Sequence, residues 1–162
     1  MIINGINFIK GENKVGKTTF IWEIAQTLKQ LDKKLCFLGG TKSFKNNYNF
    51  LKIFEYSFFS HDERVFQFIT SVQQIVGYLV IDDIDYIDID YVDILFKRFK
   101  KPIIITCNIN RTYHDFNHKH INFILHNNKN IELENNTVIK TDQFLNQIKR
   151  ENKIEIILND KI

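Results

Sequence analysis

The chain has 162 residues but few that punctuate or cross-link a fold: one Pro, one Ala, one Trp, one Met, six Gly and two Cys. Cys36 and Cys107 each lie inside an apolar run, with neither a disulfide framework nor metal-ligand spacing around them, so buried, reduced thiols are expected. There is no linker rich in Pro, Gly or Ser and no internal repeat, so residues 1–162 are expected to form a single domain. No apolar run approaches the about 20 residues that a membrane-spanning helix needs. The N-terminus lacks a charged segment followed by a long apolar stretch, which argues against a signal peptide. A cytoplasmic protein without a membrane partner is therefore expected. The wealth of Asn, Ile, Lys and Phe, residues with AT-rich codons, fits a viral, plasmid or bacterial genome, in which case the location is the host cytoplasm. A net charge of +3 is too small to argue for a nucleic-acid partner by itself.

What is present suffices for a core: 44% of the residues are hydrophobic, 15 of them Phe. Ile6 to Ile9 reads as a strand, and Asn4-Gly5 before it as a turn that folds residues 1–3 into a small hairpin arm. From Gly16 the period becomes helical, with Ile21, Ile24, Ala25, Leu28 and Leu31 on one face. Leu35 to Leu38 is a strand stopped by Gly39-Gly40. Ser60 and Glu63 fit a capping box for a helix with Val65, Phe68, Ile69, Val72 and Ile75 on its buried face, ended by Gly77. Tyr78 to Ile81 is a strand. A helix with Val92, Leu95, Phe96 and Phe99 on one face follows, and Pro102 opens the strand Ile103 to Thr106. Ile121 to Leu125 reads as a fifth strand and residues 130–139 as a hairpin about Asn135-Asn136. Thr141 or Asp142 can cap a short helix through Ile148, and Ile154 to Leu158 reads as a final strand. Strands apolar throughout, alternating with amphipathic helices, imply an α/β fold: a mostly parallel sheet covered on both faces, with an antiparallel C-terminal extension.

The chemistry concentrates in Gly11-Glu12-Asn13-Lys14-Val15-Gly16-Lys17-Thr18, which matches the Walker A pattern G-x-x-x-x-G-K-[ST]. Glycines let such a loop curl so that successive N–H groups face an anion, and the following helix begins where its dipole favours negative charge. The pattern lies between a predicted strand and a predicted helix, which is its confirming context. Gly11 through Thr19 are the candidate phosphate-binding residues, with Lys17 reaching the β- and γ-phosphates and Thr18 offering its hydroxyl to Mg²⁺. Tyr78-Leu79-Val80-Ile81-Asp82-Asp83 has the form of Walker B, an apolar strand that delivers Asp82 to the sheet rim as a second Mg²⁺ ligand. Asp83 either orients an attacking water or caps the next segment. The strand Ile103 to Thr106 is expected between the other two. At its end Thr106 and Asn108 are candidate γ-phosphate sensors or plain strand-end polar residues.

In this order the motifs resemble the additional-strand class of P-loop ATPases over roughly residues 6–125, and that resemblance implies a three-layer P-loop NTPase fold. The stretch from Tyr78 to Ile87 looks like Walker B of replication-initiator and helicase-loader ATPase cores, and Pro102 to Asn108 like their sensor strand. Gly11 to Phe20 and the hairpin-rich C-terminal third look more like RecA-type ATPases. The resemblance implies ATP and Mg²⁺ as ligands and DNA or a DNA-bound protein as partner. It also allows a homo-oligomer whose neighbour supplies an arginine finger, with Arg111 the first candidate and Arg98 the second. Two features depart from the pattern. The residues after the sensor strand are too few and look too β-rich for a helical lid. Gly39-Gly40-Thr41-Lys42 also offers no carboxylate where RecA-type enzymes carry a catalytic Glu, which leaves Asp83, Glu12 or Glu55 for that work.

Three functions are thereby expected, in this order. The first is an ATP-hydrolysing protein in DNA replication, recombination or packaging, with Lys17, Asp83, Asn108 and Arg111 as its catalytic set. The second is a nucleotide-binding regulatory or assembly module with weak or no hydrolysis. The third is a small-molecule kinase, disfavoured because the four Arg residues, 64, 98, 111 and 150, are scattered rather than gathered in a lid. A GTPase ranks below these, since no N-K-x-D motif follows the sensor strand. The run Lys97, Arg98, Lys100 and Lys101 reads as a solubilising face or as a contact to phosphate backbone.

Overall fold

Short strands that are apolar on both faces can be stable only in the interior of a sheet covered on both sides, and the protein is built on such a sheet. The computed structural model describes residues 1–38, 71, 74–82, 84, 94, 96–110 and 118–159. Among these the elements are β1 (Ile6–Gly11), α1 (Lys17–Gln30), β2 (Leu35–Leu38), β3 (Tyr78–Ile81), β4 (Ile103–Asn108), β5 (His120–His126), β6 (Asn130–Glu132), β7 (Val138–Lys140) and α2 (Thr141–Asn159). The strands form one sheet in the order β2-β3-β4-β1-β5-β6-β7. The first five are parallel, and β6 and β7 are added antiparallel. The fold is therefore α/β with a mostly parallel sheet of seven strands. β4 lies between β1 and β3, as expected from the sequence, and residues 130–139 form the expected hairpin.

Register assigns the two faces. Val80 is opposite Ile104 and Ile9 opposite Phe123, and all four share the face that packs with Phe20, Ile21, Ile24 and Leu28 of α1. Phe144 and Ile148 of α2 join the same cluster, where Phe144 meets Phe20 and Phe123 edge to face, with ring centroids 5.6 and 5.1 Å apart. The opposite face presents Phe8, Leu79, Ile81, Ile103, Ile105 and Cys107, all buried, with Phe96 edge-on to Phe8 at 6.3 Å. Both cysteines are buried and stand outside any disulfide, as expected.

Four local expectations are corrected. Residues 1–3 form no strand. Instead the buried Asn7 side chain accepts from the N–H of Ile3 at 2.9 Å and donates to the carbonyls of Ile3, Gly5 and Ile103, which satisfies the polar groups that a hairpin arm would have paired. Ile75 is 64% exposed, while the neighbouring Val76 enters the core. Neither Thr141 nor Asp142 caps α2 from outside, because both lie within it; Gln143 Oε1 accepts from the N–H of Lys140 at 3.0 Å, reaching back one turn as the Gln of a capping box does. Residues 154–158 are not a strand. α2 runs on through Asn159, so the last third pairs its hairpin with a helix of 19 residues and is less β-rich than the sequence suggests. The Ser60/Glu63 cap, the helix positions Val65 to Val72, and Val92 and Leu95 lie outside the described residues. Among those described, no helix is long and apolar enough to cross a membrane.

Candidate functional site

β1 brings the chain to the C-terminal edge of the sheet at Gly11, and α1 carries it away from Lys17, so residues 12–16 must turn tightly between them. Gly16 has φ 97°, a left-handed conformation that glycine adopts without a Cβ clash, and Lys14 also lies at positive φ. A Cβ at Gly11 would come within 2.7 Å of Val15 Cγ1 and 3.0 Å of the Leu125 carbonyl oxygen, so the loop is packed directly on β5. On its other side the loop is tied to β4: the Ile109 N–H donates to the Gly11 carbonyl at 3.2 Å, and Asn108 Nδ2 donates to Asn13 Oδ1 at 3.4 Å.

The start of α1 has neither a side-chain cap nor an acidic residue in its first turn. Its first N–H groups lack intrahelical partners, and the positive end of its dipole points into the loop. Lys17 Nζ folds back over the loop and donates to the carbonyls of Gly11 and Glu12, each at 2.8 Å. Glu12, Asn13, Lys14 and Thr19 are exposed, whereas Val15, Gly16, Lys17 and Thr18 are half-buried.

Asp82 follows the last residue of β3 and is only 2% exposed. Thr106 donates its hydroxyl to Asp82 Oδ1 at 2.7 Å, and the Thr18 hydroxyl bonds the same carboxylate. Burial pushes the Asp82 carboxyl above its ordinary range. The Thr106 and Thr18 hydroxyls and the Lys17 ammonium pull it the other way without cancelling the effect. Side chains from α1, β3 and β4 thus converge on one buried anion.

No protein-family model matches this chain, and no curated protein matches it.

A concave loop at an uncapped helix start, with an ammonium folded across it, can take an anion in place of the loop carbonyls. A buried carboxylate beside a hydroxyl offers two hard oxygen ligands, the donor type that Mg²⁺ prefers. Lys17, Thr18 and Asp82 are neighbours in the fold. Asn108 reaches the loop through Asn13 and also accepts from the Asn110 N–H at 3.0 Å. Thr106 faces Asp82 as its hydrogen-bond donor, a positioning role that sequence reasoning did not assign. The signal was available in the register, which sets Thr106 on the same sheet face as Ile104 and Val80 and one step from Asp82. Asp83, Glu55 and Arg111 lie outside the described residues. Arg98 is exposed and precedes β4, at the sheet edge away from the loop, so within one chain it does not join the site.

Proposed function

We propose that the protein is a P-loop ATPase of three-layer architecture that binds ATP with Mg²⁺ at Gly11–Thr19 and hydrolyses it in the service of DNA replication, recombination or packaging. The observation that carries this reading is the buried carboxylate of Asp82, held by the Thr106 hydroxyl and influenced by Thr18 and Lys17 beside the loop. Additional-strand P-loop ATPases, the class that the motif order resembles, place their sensor strand where β4 stands, between β1 and β3.

In this mechanism the loop N–H groups and the α1 N-terminus hold the phosphates. Lys17 leaves the Gly11 and Glu12 carbonyls to neutralise the terminal phosphoryl oxygens. Thr18 and Asp82 would hold Mg²⁺, which supplies charge neutralisation and polarises the terminal phosphoryl group. Thr106 keeps the Asp82 carboxylate turned toward Thr18. Asp83 orients a water for in-line attack: the new P–O bond forms as the bridging P–O bond breaks, ADP leaves, and the water proton ends on phosphate. Asn108 senses the phosphate through Asn13, and Arg111 of a neighbouring copy completes the charge in an oligomer.

A second reading, a nucleotide-binding assembly module with weak hydrolysis, is favoured by the missing carboxylate after β2. The experiment is ATP binding and turnover by purified protein with Mg²⁺, with and without single- and double-stranded DNA. Lys17→Ala should lose at least about 10-fold in affinity, the value of one hydrogen bond to a charged group. DNA-stimulated turnover absent from the variant supports the ATPase, and tight binding without turnover selects the assembly module. Equal behaviour of wild type and variant would refute both.

A further inference from the structure

The run Lys97 to Lys101 is not absorbed by the nucleotide site, and the fold puts it in new company. At the N-terminal edge of the sheet, opposite the Gly11–Thr18 loop, a hollow of about 180 Å³ is bounded by Asn4, Lys100, Lys101, His118 and Lys119 over a floor of Phe96 and Phe99. Its cations come from two segments that are remote in sequence. They are held together because the Lys119 carbonyl accepts from the Ile6 N–H at 3.0 Å while the Gly5 carbonyl accepts from the Ile103 N–H at 2.9 Å. Lys101 Nζ is committed to the Val76 carbonyl at 2.7 Å. Lys100 and Lys119 are exposed, and among the described residues that line the hollow none is acidic.

We propose that this hollow is a contact site for the sugar-phosphate backbone of a nucleic acid, with Lys100 and Lys119 as its principal cations. A recess bounded by lysines from two segments suits a discrete phosphate, and side chains on such a contact carry no base readout, so binding is independent of sequence. The site deepens the DNA-linked reading by naming a surface at the opposite sheet edge from the nucleotide loop. Its test uses no ATP, so it can fail or succeed independently of that reading.

The experiment is fluorescence anisotropy of labelled single- and double-stranded oligonucleotides across a salt series, with thermal melts to verify folding. Lys100→Glu/Lys119→Glu should weaken binding at least about 10-fold and flatten the single-strand salt slope by about 1.4, the value for two lost phosphate contacts. Lys100→Ala/Lys119→Ala should act in the same direction if the reversed charges disturb folding. The charge-matched control Lys129→Glu/Lys140→Glu, at the opposite sheet edge, should change affinity less than about 3-fold. The proposal is overturned if the wild type does not bind in low salt, if the hollow variants bind as well as wild type, or if the control loses as much. Retention on anionic lipid vesicles that oligonucleotide cannot compete away would also overturn it.

Discussion

Gly11 offers the sharpest test of the loop's construction. It is buried at the end of β1, and an alanine Cβ there would lie 2.7 Å from Val15 Cγ1 and 3.0 Å from the Leu125 carbonyl oxygen. The first neighbour is a side chain within the same loop and can rotate or be removed. The second is backbone of β5, which is hydrogen-bonded in register to β1 from Ile6 to Lys10 and cannot retreat without loosening that ladder. Overpacking of this kind costs about 1–3 kcal/mol. At about 2–4 °C per kcal/mol for a chain of this size, Gly11→Ala should lower Tm by about 2–12 °C in a thermal melt followed by circular dichroism. Val15→Ala in the same background removes the closer contact and leaves the other. A double-mutant cycle should therefore show favourable coupling of at least about 0.5 kcal/mol, with incomplete recovery. A Gly11→Ala protein that melts within about 1 °C of wild type, or a cycle without coupling, would refute the packed-loop account.

Two predictions concern the buried carboxylate. Because burial raises the Asp82 pKa above the ordinary 3.8, the folded protein retains its proton at pH values where the unfolded chain has released it. The cost of the charge is therefore fully present above the raised value, shrinks as pH falls through it, and is gone below 3.8. Without nucleotide, Asp82→Asn should melt higher than wild type at pH 8, with the gap closing in acid; a gap independent of pH would reject burial as the cause. Thr106→Val deletes the hydroxyl that donates to Asp82 Oδ1 at 2.7 Å and should cost about 1.5–3 kcal/mol. It also removes an influence that lowers the Asp82 pKa, so in the Thr106→Val background the gap should begin to close at higher pH. An unchanged closing point would reject Thr106 as the residue that positions the carboxylate.

The sheet was legible because β2, β3 and the first half of β4 are short apolar runs, and because Gly11, Asp82 and Asn108 mark strand ends on one edge. What misled was local. Residues 154–158 are rich in Ile, which favours strands in isolation, yet they continue a helix already nucleated by Phe144 and Ile148 against α1. Propagation adds a hydrogen bond for each residue fixed, whereas a new strand would need an edge to pair with. The hairpin arm failed for a different reason: a single side chain, Asn7, supplies the donors and acceptor that the backbone of Ile3 and Gly5 would otherwise seek from a strand partner. Such side-chain substitution leaves no periodic trace. The Asp82–Thr106 bond joins residues 24 apart in sequence and depends on the strand order, so it could be expected only once β4 was placed beside β3.

The site also explains why its order is achieved at a cost. A desolvated carboxylate with hydroxyl donors and one ammonium nearby is costlier to ionise than the same group in water, and the ammonium itself is bonded to the loop carbonyls of Gly11 and Glu12 rather than to the carboxylate. Both charges are held beside each other in an arrangement that neither satisfies alone. An anion in the loop would draw Lys17 off the carbonyls, and a hard cation between that anion and Asp82 would relieve the carboxylate. A phosphate or a cation alone relieves one charge and leaves the other stranded, whereas a metal–polyphosphate complex relieves both. Binding of the two should therefore be strongly coupled, each raising the affinity of the other by the same factor. Titrating triphosphate with and without Mg²⁺ measures that factor directly, and a factor near one would mean that the loop and Asp82 are merely neighbours.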